Sequence, residues 1–338
     1  MKGLAKTRDS NMELLRIFAM FLVMIFHIDF MSIDGIDPIN PALHPINSFI
    51  RIFLSLASFT CVNIFVLLSG WYGIHLKSTK LKSFLFQVFF FSILSYGCFV
   101  LYGKENIKLL LHIFFFDAYW FIPIYISLCL ISPILNLYVD NCSQKNLKTT
   151  ILLLLFIQCC YGWISPQERG WNEGCSPISF INLYLIARYA RLYPFLYTSF
   201  RKEIDLILFF TISFIASIIV FIGEKYNIEL ITSTMFKFTS PFTIIAALYI
   251  VLFFSKIKIH NKWINWIASS CFAVFLVHCF PLFNQYIYHN VIGYLYSHYN
   301  GFSLIIYILS FIIALYAISI FIDKIRIYIY KSIIKKNE

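Results

Sequence analysis

The sequence predicts an all-α polytopic membrane protein, a bundle of about ten transmembrane helices with both termini cytoplasmic. Three observations predict it. The 338 residues are 60% hydrophobic and only 13% charged, with 38 Phe and 22 Tyr, a composition that soluble domains of this size do not carry. Apolar stretches of near-spanning length recur along the whole chain. The basic residues between them alternate in density from loop to loop, as the positive-inside rule requires of a chain that crosses repeatedly.

The spans follow in order. The first is 14–30, closed by Met31-Ser32-Ile33-Asp34. The second, 49–71, ends in Ser69-Gly70-Trp71-Tyr72-Gly73, with small residues for close helix approach and aromatic residues for the interface. Lys77, Lys80 and Lys82 come next, and then the third span, 84–102. The stretch 107–116 is too short to cross and reads as an interfacial or re-entrant helix. The fourth span, 120–139, opens at Trp120. The fifth, 150–164, follows Lys145 and Lys148. The sixth, 177–195, carries Arg188 and Arg191 at its far end. The seventh is 204–222, after Arg201 and Lys202, and the eighth is 240–255, opened by Ser240-Pro241. The ninth, 267–286, holds His278, and the tenth, 303–322, precedes Lys324 and Arg326. Pro123, Pro133 and Pro281 read as lying near helix ends, so no broken helix is expected.

With the N-terminus inside, 21 of the 27 Lys and Arg fall on the cytoplasmic side. Only Arg51, Lys104, Lys108, Arg169, Lys225 and Lys237 fall outside. The net charge of +11 thus reflects orientation, and its spread over six cytoplasmic segments argues against a nucleic-acid partner. The basic N-terminus and first apolar run lack a small-residue cleavage pattern, so the first segment is expected to be retained. The nine Cys show no C-x-x-C spacing, so neither a disulfide framework nor a metal site is expected, and Cys175 alone is placed outside. Even the longest outer loops, about 31–48, 103–118 and 223–239, are short. A single integral-membrane domain, 1–338, is expected, with its chemistry inside the bundle.

The first span carries the strongest chemical signal. Arg16 and His27 stand eleven residues apart with only apolar residues between them. That is close to three helical turns, so Glu13, Arg16, Met20, Val23 and His27 share one stripe. An imidazole inside a membrane helix is costly to desolvate and is by default a functional candidate. Glu13 and Arg16 then form a charged pair at the mouth of a cleft, with His27 deeper. Asp29 is not expected to orient His27, since residues two apart lie on nearly opposite helix faces. Other candidates have two readings each. Lys77, Lys80 and Lys82 serve as retention charges or hold phosphate. Arg188 and Arg191 complement a helix C-terminus or bind phosphate bidentately. Asp117, Tyr119 and Trp120 belong to an aromatic belt or recognise a sugar. His278 packs or works, and Ser69 packs or lines a donor site.

These residues resemble the membrane acyltransferase-3 family. The likeness rests on Arg16-x10-His27 preceded by Asn11 and Glu13, on Phe65-Val66-Leu67-Leu68-Ser69-Gly70, on Trp120-Phe121, on Ser132-Pro133 with Asn136, on Ser240-Pro241 and on Leu276-Val277-His278. The matches run in order from about residue 8 to 322. The resemblance implies transfer of an acyl group, usually acetyl from acetyl-CoA, to glycans on the far side of the membrane. It implies His27 as catalytic residue and Arg16 as its partner on the CoA side. No appended extracytoplasmic domain of the kind some relatives carry is expected from this sequence, so a relay to a second catalytic domain is not expected and the acceptor stays open. The expected location is the bacterial inner membrane, with acyl-CoA, a carbohydrate acceptor and membrane lipids as partners. Arg16 and His27 lie about 16 Å apart along the axis, similar to the reach of an extended pantetheine arm. CoA phosphates would sit on Arg188, Arg191 and the lysines, and a neutral His27 would act as general base. Acetyl-histidine is the less favoured variant. Two other classes remain: a transporter or flippase for a lipid-linked glycan, which more often shows broken helices in matching halves, and a structural or sensor protein indifferent to His27.

Overall fold

The computed structural model describes residues 9–103, 107–165, 167 and 170–335. Lys2, Lys6, Arg8, Lys104, Arg169 and Lys336, counted in the sidedness tally, lie outside the described residues. Among those described, every regular element is helical. α1 (Ser10–Ile28) runs into a π-helical turn, Asp29–Ile33. α2 (Pro45–Phe59) and α3 (Cys61–Tyr72) form one 28-residue span, Pro45–Tyr72. Then come α4 (Ser78–Leu101), α5 (Ile107–Phe114), α6 (Phe121–Asn141) and α7 (Gln144–Ile157), which a second π turn, Gln158–Ile164, prolongs. α8 (Pro177–Leu192), α9 (Lys202–Lys225), α10 (Glu229–Met235) and α11 (Pro241–Ser255) follow. α12 (Lys262–Ala268) and α13 (Cys271–His278) lead to α14 (Pro281–Phe283), a third π turn (Asn284–Tyr288) and α15 (His289–His298). α16 (Gly301–Lys335) closes the chain.

Local chemistry sets many of the starts. Pro45, Pro177, Pro241 and Pro281 stand in the first turn of their helices, where the missing N–H costs nothing and φ is already helical. Ser143, Ser176 and Asn261 accept backbone N–H groups as N-caps, satisfying donors that a helix start leaves open. α3 ends at Gly73, with φ of 74°, a conformation glycine adopts without a Cβ penalty.

Among the described residues, seven helices are long and apolar enough to cross a membrane, or eight if the bent pair Lys262–His278 and Pro281–His298 is one span. The expectation of about ten is therefore not reached on length and composition. Helices do stand at the two remaining places, but α8 has 16 residues and α11 has 15. Asn182, Arg188 and Arg191 also lower the hydropathy of α8. It tolerates them because nine of its residues are buried by neighbouring helices rather than by lipid. α5, at 8 residues, is too short to cross. The placement of Pro133 near a helix end and the expected absence of a broken helix are corrected, while Pro281 does lie at a helix end. Pro133 lies inside α6, well before its end. Pro281 follows a break at which the chain bends by 68°. A broken helix at membrane depth is tolerated where the freed backbone is buried in protein or lines a cavity.

α1 is central: it packs against α2, α3, α11, α12 and α13. The most apolar stretch of the α2–α3 span is 72% buried, against 22% for α4, α6 and α16, so the latter form the outer wall. Their exposed Phe89, Leu130, Ile134 and Phe321 suit a hydrocarbon surround, in which apolar side chains carry no penalty. α3 and α8 approach closely at Gly70, where a Cβ would stand 2.5 Å from the Tyr184 carbonyl oxygen.

Polar contacts sort into two ends. At one, Tyr72 Oη donates to Asp9 (2.9 Å), Asn11 to the Phe254 carbonyl (2.9 Å) and Arg191 to the Trp71 carbonyl (2.6 Å). Lys256 pairs there with buried Asp205 at 2.5 Å. At the other, Arg51 pairs with Asp29 at 2.7 Å and donates to the Asp37 carbonyl at 2.6 Å. Trp163 donates to the Thr234 carbonyl at 3.0 Å.

Candidate functional site

The stripe on α1 faces a cavity of about 810 Å³. Arg16, Met20, Val23 and His27 all line it, as 3.6-residue periodicity requires once one of them does. Arg16, Ser69, Gln87 and Ser269 border the end where the α1 N-terminus lies. Trp120, Glu173, Cys175 and Ser233 border the opposite end. One cavity thus reaches from one side of the bundle towards the other, with His27 between its ends.

At the first end Glu13, buried, accepts from Arg16 Nη1 at 2.6 Å. Arg16 reaches the wall and Glu13 holds it there. Ser69 Oγ donates to the Phe65 carbonyl at 2.9 Å and lies 3.2 Å from Tyr125 Oη. Arg188 and Arg191 stand at the same end but outside the cavity wall. Arg188 Nη2 is 3.7 Å from Asp140, and its Nε is buried without a hydrogen-bond partner. Arg191 lies over the Tyr72 ring at 5.0 Å besides donating to Trp71. Lys77, Lys80 and Lys82 are exposed, around the start of α4. Tyr184 ties this corner together: its Oη donates to Asn136 Oδ1 (2.6 Å) and accepts from Ile74 N–H (2.9 Å), while Asn136 Nδ2 donates to the Ile74 carbonyl (2.8 Å).

At the other end the Trp120 ring is stacked on Phe238 at 5.8 Å and its side chain is 43% exposed. Tyr119 is buried and lines the cavity with its ring, while its hydroxyl donates to the Leu276 carbonyl at 2.6 Å. Asp117 is not brought to the wall. It is exposed and 3.0 Å from His112 Nδ1, because the turn after α5 points it towards that helix. Glu173 supplies the carboxylate-bearing residue at this mouth instead. It sits in left-handed backbone (φ 55°), and its carbonyl accepts from Phe238 N–H at 2.7 Å. Strained non-glycine backbone of this kind concentrates at functional loops.

The middle of the cavity holds what sequence reasoning missed. Cys279 lines the wall beside His27, its Sγ 3.7 Å from His27 Nδ1 and 3.3 Å from His278 Nε2. The two imidazole centroids are 5.3 Å apart. His278 is fully buried and lies behind the wall, its Nδ1 2.6 Å from the Val274 carbonyl. A carbonyl only accepts, so Nδ1 carries the proton and Nε2 presents a lone pair to the thiol. Chemically, the group offers a base and a nucleophile. Its three ligand-type atoms also lie within 4.8 Å of one another, close enough to share one ion. Asp29 takes no part, being held by Arg51 and by Ser55 at 2.7 Å. The available signal was the residue after His278, a cysteine two positions before Pro281, at the break between α13 and α14.

The family model for an acyltransferase domain, the acyltransferase-3 model, matches residues 9–324. No curated protein and no solved structure matches the chain. The match extends from the cap of α1 through all helices of the cavity wall to the last buried turn of α16. It carries an enzymatic assignment, which sets aside the transporter and the structural readings. This chain belongs to the acyltransferase-3 family and is a membrane-embedded acyltransferase.

Proposed function

We propose that the enzyme transfers an acetyl group from cytoplasmic acetyl-CoA to a hydroxyl of an extracytoplasmic or lipid-linked carbohydrate, across the bacterial inner membrane. The observation that carries this reading is the single cavity with Arg16 at one end, Trp120 at the other and His27 between. A donor and an acceptor confined to opposite sides need such a passage. The pantetheine arm enters past Arg16 and Ser69. Arg188, Arg191, Lys77, Lys80 and Lys82, at the same end, hold the CoA phosphates. The acceptor enters at Trp120 and Tyr119, whose rings offer faces for a sugar. His27 removes the hydroxyl proton as the oxygen attacks the acyl carbon. The test is to incubate membranes with radiolabelled acetyl-CoA and fractionate the envelope. Label in a glycan fraction supports the reading, and its absence from every glycan overturns the acceptor class.

Two expected results separate the ends. Arg188→Ala raises the acyl-CoA Kd, since each charge-assisted phosphate contact is worth about 1.5–3 kcal/mol, roughly 10- to 150-fold. The loss grows as salt is lowered. Unchanged affinity in a binding titration returns Arg188 to helix-end complementation. Trp120→Ala, at the opposite mouth, raises the acceptor KM and leaves acyl-CoA affinity unchanged. Wild-type KM for both substrates moves the acceptor site elsewhere on the wall.

A further inference from the structure

Cys279 carries a thiol flanked by two imidazoles. It lines the reaction cavity next to His27, at the point where α13 ends and the chain turns into α14. A nucleophile needs a base within hydrogen-bond reach, and the base needs a third group to orient it. Both are present. His278 Nε2 lies 3.3 Å from Sγ, and the Val274 carbonyl fixes the His278 proton on Nδ1 from the far side. His278 is buried behind the wall and meets the cavity at Cys279, where an acyl donor bound to Sγ would come within its reach. His27, which lines the cavity, stands on the other side of the same sulfur at 3.7 Å. A thiol thus has one imidazole behind it and another beside it.

We propose that Cys279 is a catalytic nucleophile that carries the acyl group as a thioester between donor and acceptor. The proposal rests on the thioester-donor reading above. In the first step Cys279 Sγ bonds to the acyl carbon and the carbon–sulfur bond of the donor breaks. The thiol proton passes to His278 Nε2 and then to the departing CoA sulfur. One thioester replaces another, so the step is close to neutral in free energy and needs no further reagent. In the second step the acceptor oxygen bonds to the acyl carbon, the Sγ–carbon bond breaks, and His27 takes the hydroxyl proton and returns it to sulfur. The exchange explains two imidazoles around one sulfur, one for each half-reaction. It also removes the need for CoA and a bulky glycan to occupy the 810 Å³ cavity together.

The experiment incubates the purified full-length protein with radiolabelled acetyl-CoA and no acceptor, then denatures it and maps the label by peptide mass spectrometry. The expected result is one acyl group on the peptide containing Cys279, released by neutral hydroxylamine. Label exchange between acetyl-CoA and free CoA accompanies it. Cys279→Ala abolishes labelling and exchange and cuts transfer to background. Cys98→Ala, on an exposed face of α4, changes none of these. Since Cys279→Ala could misfold, protection of wild-type Cys279 from alkylation by prior acetyl-CoA provides an independent reading. Full transfer by Cys279→Ala overturns the proposal and leaves direct transfer through His27 standing. So does wild-type transfer with no acyl-enzyme, or label found on Cys61 or Cys175, the other cysteines of the wall. A stoichiometric metal ion that is lost in Cys279→Ala, without labelling, overturns it in favour of a metal centre. Wild-type protein that neither transfers nor labels overturns the donor assignment along with it.

Discussion

His27→Ala lowers acyl transfer by ~10²–10⁴-fold, the usual cost of removing a general base, while the protein still inserts and folds. The two parts of this expectation have separate grounds. His27 lines the cavity rather than filling the core, and its ring contacts are with Phe26 at 5.9 Å and His278 at 5.3 Å. The helix that carries it is anchored elsewhere. Asn11 binds the Phe254 carbonyl at its start, and Tyr288 Oη donates to the Met24 carbonyl at 2.6 Å near its end. The measurement pairs a transfer rate with a thermal melt of the same preparation. A normal rate in His27→Ala removes the catalytic assignment, and a collapsed melt makes the residue structural. If Cys279 carries the acyl group, His27→Ala still accumulates label and fails to deliver it, which separates the two histidines by function.

Gly70→Val is the most damaging small substitution on the inner helices. A Cβ at this position would lie 2.5 Å from the Tyr184 carbonyl oxygen, 2.9 Å from Tyr184 Cα and 2.9 Å from Ala187 Cβ. Two of these are backbone atoms, so no flexible side chain can yield, and α3 and α8 must separate. Overpacking of this kind costs about 1–3 kcal/mol and sometimes more. Separation also pulls Tyr184 from Asn136 and Ile74, loosening the end at which the acyl donor is proposed to enter. The expected result is a lowered melting midpoint in detergent and loss of transfer. Gly97→Ala is the control. It lies within α4, where a Cβ would meet nothing within 4 Å, and it gains up to about 1 kcal/mol from helix propensity. A Gly70→Val protein as stable as Gly97→Ala would mean that the bundle accommodates the added side chain.

Sequence and structure contribute to different parts of this site. The membrane class follows from composition, because no arrangement of these residues leaves enough polar surface for water. The α1 stripe was equally legible: Arg16, Met20, Val23 and His27 share a face by helical geometry alone, and all four line the cavity. Trp120 at the opposite mouth was read from its place at the opening of α6. Asp117, expected beside Trp120, stands off the cavity wall. Its nearness to Trp120 in sequence says nothing of direction across a turn, and the chain aims it at His112 while Glu173, from a distant loop, reaches the cavity. The count of about ten spans is not confirmed by length and composition, since α8 and α11 are short and α8 is packed among neighbouring helices. Above all, His27 and Cys279 are 252 positions apart. Spacing within one helix is set by covalent geometry and a fixed hydrogen-bond period, so the sequence alone determined it. Which face of α1 meets the broken end of α13 depends on how many helices pack at once, and only the tertiary structure decided that.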